Sequence, residues 1–357
     1  MAEQNPTTGL KYPEDLGAWR RWAGRRHGVR GLARHAKAVV RPAGALTARL
    51  WLPPDEPTSL VVMDNLSPSC RLVIHDPLVH VGDLRRVAVL TGVDDPALPD
   101  FADGSSWTSI EFIGPGQLPR GIDRVLSLGA FNALSSVVEP WAKSRGKQFI
   151  VVQHGLMTPW APPLNDGDHL LAWSEADAHF WGADRPSITW QVVGSQMLWQ
   201  AGHQPQATLA DERPVMLGQL HGIELSTTEK LRLYDSFCRT NGADYRPHPI
   251  ERDAVSKLAH RWLARRGVGF ETSGLPLADL GRPVVSIFST GTLEAAQRGL
   301  PAWVHHPRPP EWVRDFWTRH GLRQFGDEPT PAWVLGSDEP AALIARALST
   351  GRTESPA

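Results

Sequence analysis

The chain has 357 residues, a formal net charge of −1 and 41% hydrophobic residues. That length exceeds what one hydrophobic core usually organises, so two units of ordinary size are expected. A near-zero charge, with no apolar run of membrane-span length, excludes bulk attraction to nucleic acid and a transmembrane anchor.

Taken in chain order, the N-terminal stretch MAEQNPTTGLKYPEDL lacks a basic-then-apolar leader pattern. Only two cysteines occur, Cys70 and Cys238, and together these features predict a cytoplasmic protein without disulfides. Residues 20–49 then carry nine Lys or Arg and no acid. Trp19, Trp22, Val29, Leu32, Ala36 and Val39 fall on one helical face there, which predicts a basic amphipathic element. Three uses compete for it: a solvated face of a docked helix, a patch resting on anionic lipid, and a nucleic-acid contact that nothing else in the sequence supports.

Short β-branched runs follow, alternating with helical stretches. LVVM (60–63), RVAVLT (86–91), SIEFI (109–113), RVLSL (124–128), QFIVVQ (148–153), HLLAW (169–173) and ITWQVV (188–193) read as buried strands. The helical pattern of residues 131–144 makes a β-α-β unit, the building block of parallel sheets. A polar stretch, GHQPQATLADERP, interrupts the alternation at residues 202–214. The pattern then restarts with VMLGQL (215–220), a helix near 227–240, a strand ending at Tyr245, a helix over 253–266, GVGFE (267–271), PVVSIF (283–288), a helix over 292–298 and AWVHH (302–306). The expected fold class is therefore α/β, with two domains facing across a cleft, and ligands of open α/β sheets sit beyond the carboxyl ends of strands.

Three constellations follow strands. SIFSTGTLEAAQRGLP runs from a strand through Ser289, Thr290, Gly291 and Thr292 into a helix, where unpaired backbone N–H groups would suit a phosphate. Glu294, in the first turn, would accept hydrogen bonds from sugar hydroxyls of the same ligand; the competing reading is a helix cap and nothing more. QHG, Gln153 to Gly155, ends a strand of the first half. There Gly155 permits a close backbone approach, and His154 would titrate near neutrality as a base toward an acceptor hydroxyl. In YRPHPIE (245–251) two prolines stiffen the backbone around Arg246 and His248, either as a plain turn or to aim both side chains at phosphate oxygens. Glu251 would add a ligand contact or cap the next helix, and His221, after VMLGQL, is a further strand-end histidine for the same cleft. Asp166-Gly167-Asp168 has the D-x-D form of some metal sites but reads as an ordinary turn, and Cys70, His75 and His80 lack zinc spacing.

Together, QHG, RPHP and the later S-T-G-T-L-E-A with G-L-P resemble the CDP-glycerol glycerophosphotransferase and capsule-polysaccharide transferase group of the GT-B glycosyltransferase superfamily. The resemblance covers motif islands between residues 148 and 304. It implies two Rossmann-like domains: an acceptor-side domain over 59–201 and a nucleotide-donor domain over 214–357, joined by a linker at 202–213 and preceded by the basic segment within 1–58. By position it implies His154 as acceptor-activating base, His248 with Arg246 on donor phosphate, Ser289 to Thr292 as the diphosphate turn and Glu294 near the ribose. It further implies a CDP-, CMP- or UDP-linked donor, a polysaccharide or lipid-linked acceptor, no required cofactor or metal, and a peripheral position at the inner membrane face through residues 20–49. A sugar-nucleotide epimerase of the same two-domain type and a non-catalytic nucleotide-sugar or glycan-binding scaffold are the alternatives.

Overall fold

The computed structural model describes residues 9–26, 48–92, 106–222 and 224–349. Strands β1 (Ala48–Leu52), β2 (Ser59–Met63), β3 (Val87–Gly92), β4 (Thr108–Phe112), β5 (Arg124–Ser127), β6 (Gln148–Val152), β7 (Asp168–Ala172) and β8 (Thr189–Val192) form one sheet in the order β4-β1-β3-β2-β5-β6-β7-β8. β1 is antiparallel to β3 and β4, and every pairing from β3 across to β8 is parallel. A second, all-parallel sheet holds β9 (Val215–Leu217), β10 (Asp244–Arg246), β11 (Gly269–Phe270), β12 (Val284–Ser286) and β13 (Ala302–Val304) in the order β11-β10-β9-β12-β13. The helices are α1 (Leu16–Arg26), α2 (Pro68–Ile74), α3 (Ser135–Ser144), α4 (Glu175–Gly182), α5 (Gln196–Gly202), α6 (Thr227–Asn241), α7 (Ala254–Arg265), α8 (Gly291–Gln297), α9 (Glu311–Arg319) and α10 (Pro340–Ser349).

The continuous apolar runs in the sequence have a direct cause. Successive side chains of β2 enter opposite layers, Leu60 and Val62 into one core and Val61 and Met63 into the other, so both sheet faces are buried. In the second sheet Met216 and Val285 face one core while Val215, Leu217 and Val284 face the other. Helix ends follow local chemistry. Ser226 caps α6 by accepting from the Glu229 amide at 3.1 Å, Gly242 closes it in the left-handed conformation at φ 61°, and Asp253 caps α7 through the Val255 and Ser256 amides.

Two sequence boundaries need correction. β1 lies inside the segment read as N-terminal, 1–58, yet its ladder with β3 and β4 makes it part of the first sheet. α10, read with the second half, packs its Ile344, Ala345, Ala347 and Leu348 into the core of the first sheet, where Ser59 Oγ donates to the Leu348 carbonyl at 2.9 Å and Arg124 to that of Ala347. Of the basic stretch, residues 20–49, the structure describes the part in α1 and the first two residues of β1. That helix docks: the Trp19 indole donates to the Trp160 carbonyl at 2.8 Å and Arg20 to that of Ala130 at 2.6 Å, while Arg21 and Arg25 are exposed. Residues 27–47, and with them most of the stretch assigned to a lipid or nucleic-acid contact, lie outside the described residues.

At the end of β2, Asp64 accepts from the Leu134 and Ser135 amides, at 2.6 and 3.1 Å, and from the Ser135 hydroxyl, fixing the start of α3. A second buried carboxylate ties distant segments together. Asp177 in α4 is fully buried; it accepts from Gln153 Nε2 at 2.9 Å at the end of β6, lies 3.0 Å from His320 Nε2 beyond α9, and is 3.6 Å from Arg319 Nε. Burial alone would raise the Asp177 pKa, but the hydrogen bonds and charges of His320, Gln153 and Arg319 outweigh it and hold the carboxyl below its ordinary value. A depressed folded-state pKa stabilises above the unfolded value of about 4 and is lost as pH falls through the folded value. Asp177→Asn is therefore expected to cost on the order of 3 kcal/mol at neutral pH, with the gap from wild type closing below about pH 4. Denaturant unfolding across pH measures this, and a gap independent of pH would remove the carboxylate charge from the account.

Candidate functional site

In the second sheet the chain leaves β9 toward β10 and β11 on one side, then crosses to β12 and β13 on the other. The strand order thus reverses between β9 and β12, and the crevice beyond the carboxyl ends at such a point is where open α/β sheets take ligands. A cavity of about 390 Å³ opens there. Its wall draws Leu217 and Gly218 from the end of β9, Arg246 to Pro249 from beyond β10, and Ser289, Thr290, Gly291 and Glu294 from beyond β12. His154 and Gly155, which follow β6 of the first sheet, also line it, with Ser69, Met197 and Leu277.

Arg246 is held before any ligand arrives. Its Nη1 lies 3.0 Å from Glu271 Oε2 and its Nη2 donates to the Leu275 carbonyl at 2.6 Å, so the half-buried guanidinium has a fixed direction. The exposed His248 ring lies against His221 with centroids 4.2 Å apart. His248 Nδ1 accepts from the Ile250 amide at 3.3 Å, which assigns the proton of the neutral ring to Nε2. Desolvation first, and the adjacent His221 second, push the His248 pKa well below its ordinary value against a smaller upward pull from Glu251. A neutral ring with a donor at Nε2 suits an anionic oxygen.

The Ser289 to Thr292 turn is more closed than the sequence suggested. The Ser289 amide donates to Ser286 Oγ at 3.0 Å, the Gly291 amide to Ser289 Oγ at 3.2 Å, and the Thr292 amide to the Ser289 carbonyl at 3.1 Å. Of the four, only the Thr290 amide lacks an acceptor among the described residues. Thr290 Oγ1 accepts from the Leu156 amide at 3.4 Å, a contact between the two sheets' loops. Thr292 is a correction: it is fully buried, its hydroxyl 2.7 Å from Ser286 Oγ beneath α8, and it does not line this cavity. Glu294 is half-buried on the wall. Desolvation raises its pKa, against the pull of Arg246 and Arg298.

His154 is open at one edge, but its Nδ1 is sealed from solvent without a hydrogen-bond partner among the described residues. Burial pushes its pKa below the ordinary value, opposed by a smaller contribution from the Val152 backbone. The ring is thus neutral at pH 7 and able to accept a proton.

Three further expected residues lie behind the cavity. Gln153 is fully buried, donating to the Gly155 carbonyl at 3.0 Å and to Asp177, and accepting from the Trp173 amide at 2.8 Å; it shapes the QHG turn from beneath. Glu251 neither lines the cavity nor caps α7, whose cap is Asp253. Its buried carboxylate accepts from the Leu220 amide (2.8 Å), Tyr245 Oη (2.8 Å) and His260 Nε2 (2.9 Å), with His221 Nδ1 at 3.8 Å. Burial would raise its pKa, and these donors, His221 and His260 foremost, bring it below the ordinary value. His221 therefore supports His248 from behind, between that ring and Glu251.

Asp166 and Asp168 close a turn through Gly167 at φ 77°. Asp166 takes the Ser187 hydroxyl at 2.5 Å and Asp168 pairs with Lys143 at 2.8 Å, so both carboxylates are engaged. Size does not select the site: a cavity of about 700 Å³ lined by Trp173, Trp199 and Trp333 contains none of the candidate site residues. Sequence reasoning missed Gly218, visible only as a glycine at the end of VMLGQL. A Cβ there would meet the Tyr245 hydroxyl and lie 2.7 Å from Tyr245 Cζ and 2.9 Å from the Arg246 carbonyl.

No protein-family profile matches the sequence, and no curated protein matches it. Among solved structures, a mutant of the Thermobaculum terrenum O-GlcNAc transferase superposes at a TM-score of 0.42 with 14% identity, over 84% of this chain and 62% of that one. The UDP-GlcNAc 2-epimerase of Methanocaldococcus jannaschii superposes at 0.34 with 11% identity, over 65% of this chain and 72% of that one. The chain thus spans less than two thirds of the length of the first of these proteins.

Gly218→Ala is expected to cost about 1–3 kcal/mol through overpacking against Tyr245 and to displace Arg246, whose carbonyl accepts from the Gly218 amide at 2.8 Å. Thermal unfolding checks it, and an unchanged Tm would mean that Tyr245 yields freely.

Proposed function

We propose that the chain is a GT-B-type transferase that moves a sugar or an alditol phosphate from a nucleotide-activated donor, CDP-, CMP- or UDP-linked, to a hydroxyl of a cell-surface polysaccharide or lipid-linked glycan. One observation carries this reading: three sequence-distant motifs, QHG, RPHP and STG, converge on one cavity at the strand-order reversal of the second sheet. The cavity has donors for an anion on one wall and a neutral imidazole on the other, which is what displacement of a phosphate leaving group by a hydroxyl needs.

In that reaction the acceptor oxygen forms a bond to the transferred carbon or phosphorus while the bond to the nucleotide phosphate oxygen breaks. The acceptor proton passes to His154. The charge developing on the departing nucleotide meets His248 Nε2–H, the Arg246 guanidinium and the hydroxyls of Ser289 and Thr290. Glu294 receives the ribose hydroxyls. The first-sheet side then serves the acceptor and the second-sheet side the donor, with the protein working in the cytoplasm at the inner membrane face.

The first test is thermal unfolding against CMP, CDP, UMP, UDP, GDP and ADP. A nucleotide at 100 times its Kd is expected to add about 2.7 kcal/mol of stability, for one base family only, and the shift is expected to disappear in His248→Ala. Absence of any shift would favour a scaffold without nucleotide. The second test is kinetic: His154→Ala is expected to lower kcat/KM by about 10²-fold or more. Retention within a few fold would exclude His154 as base, and nucleotide release that needs no acceptor would point to an epimerase.

A further inference from the structure

A second cavity, of about 590 Å³, opens between the first turns of α6 and the loop that follows β13. It shares no lining residue with the cavity of the QHG, RPHP and STG motifs. On one wall Thr228, Arg232 and Ser236 recur every four residues along α6, so a single helix face presents two hydroxyls and a guanidinium in a row. Facing them are His305 and Arg308, beyond the carboxyl end of β13.

Charge is unevenly spent there. Glu229 is the one acid on the wall, and its Oε1 is engaged with His306 Nε2 at 3.2 Å. His306 is buried; its Nδ1 accepts from the Arg308 amide at 3.3 Å while its Nε2 donates to Glu229, which pins the loop that carries Arg308. Neither Arg232 nor Arg308 forms an ion pair with any described residue. His305 is braced by Phe237, 4.8 Å away, and its ring makes no hydrogen bond to a described residue. Among the described residues the wall thus offers two guanidiniums without an ion pair, three hydroxyls and an imidazole, against a single carboxylate, Glu229, whose Oε1 is turned to His306. Guanidiniums are the side chains best matched to the oxygens of a phosphate group.

We infer that this cavity is a second anion site, which takes a phosphate group between Arg232 and Arg308, independently of the donor cavity. A free phosphate and a phosphate carried on a sugar share this chemistry, and the probes separate them.

The experiment is calorimetric titration of the full chain with inorganic phosphate, pyrophosphate and ribose 5-phosphate, using wild type, Arg246→Gln and the double variant Arg232→Gln/Arg308→Gln. Both arginines of the double variant are exposed, so its Tm is expected to match wild type. Saturable binding of at least one probe is expected in wild type and in Arg246→Gln, weakened about tenfold or more in the double variant. A preference for ribose 5-phosphate would assign the site to a phosphorylated substrate or product, and equal binding of inorganic phosphate to the free anion. No saturable binding at millimolar probe, or binding unchanged in the double variant, overturns the inference. Because Arg246→Gln is the donor-cavity control, loss of nucleotide binding there leaves this result unaffected.

Discussion

The buried carboxylate of Asp177 fixes the turn that carries His154. It gathers Gln153 from the end of β6 and His320 and Arg319 from the end of α9 within hydrogen-bonding or ion-pairing reach. Gln153 in turn holds the Gly155 carbonyl and receives the Trp173 amide. The turn that presents His154 is therefore fixed from below by groups that never meet the cavity. Arg319, which also reaches the Met157 carbonyl, ties the loop after His154 to the helix beyond the second sheet. The base proposed at His154 would need such backing, because a displacement of about 1 Å in a reacting group costs far more rate than a missing surface contact.

Desolvation is the main cause of lost basicity in both histidines of the cavity, but their neighbours differ. The His154 Nδ1 is enclosed and has no hydrogen-bond partner among the described residues. His248 also lies on another imidazole, which lowers it further, and a buried glutamate behind that pair pulls the other way. Bringing an anion into the cavity would add a favourable partner for the proton on His248, so the same ring is a neutral donor when empty and a better cation when filled. Arg246, fixed by Glu271, supplies charge that does not depend on that change.

The sequence displayed the strand ends well because apolar runs stop at the turn residues Gly155, Pro247 and Gly291. That placed His154, Arg246, His248, Ser289, Thr290 and Glu294 on the wall they occupy. What escaped were features set by the third dimension. Thr292 and Gln153 have the right residue type at the right spacing, but the helix face and strand face that carry them point inward. Glu251 looked like a ligand contact because its partners, Tyr245, His260 and the Leu220 amide, come from separate segments. The return of α10 to the first sheet leaves no local signature at all, since an apolar helix face does not declare which core it fills.

Asp64 gives the two sheets unlike characters. Order reverses in the first sheet between β2 and β5 as it does in the second between β9 and β12. In the first, the amides beside that crevice are already occupied by the carboxylate of Asp64, which also takes the Ser135 hydroxyl. In the second, no carboxylate of the chain takes the Thr290 amide among the described residues. The first half thus carries the acceptor for those amides within its own chain, whereas in the second the Thr290 amide meets no acceptor among the described residues, at the place where the proposed donor phosphate would bind. Ligand should accordingly tighten the two halves unequally, slowing amide exchange around β9, β10 and β12 while leaving that around β2 and β5 as it was.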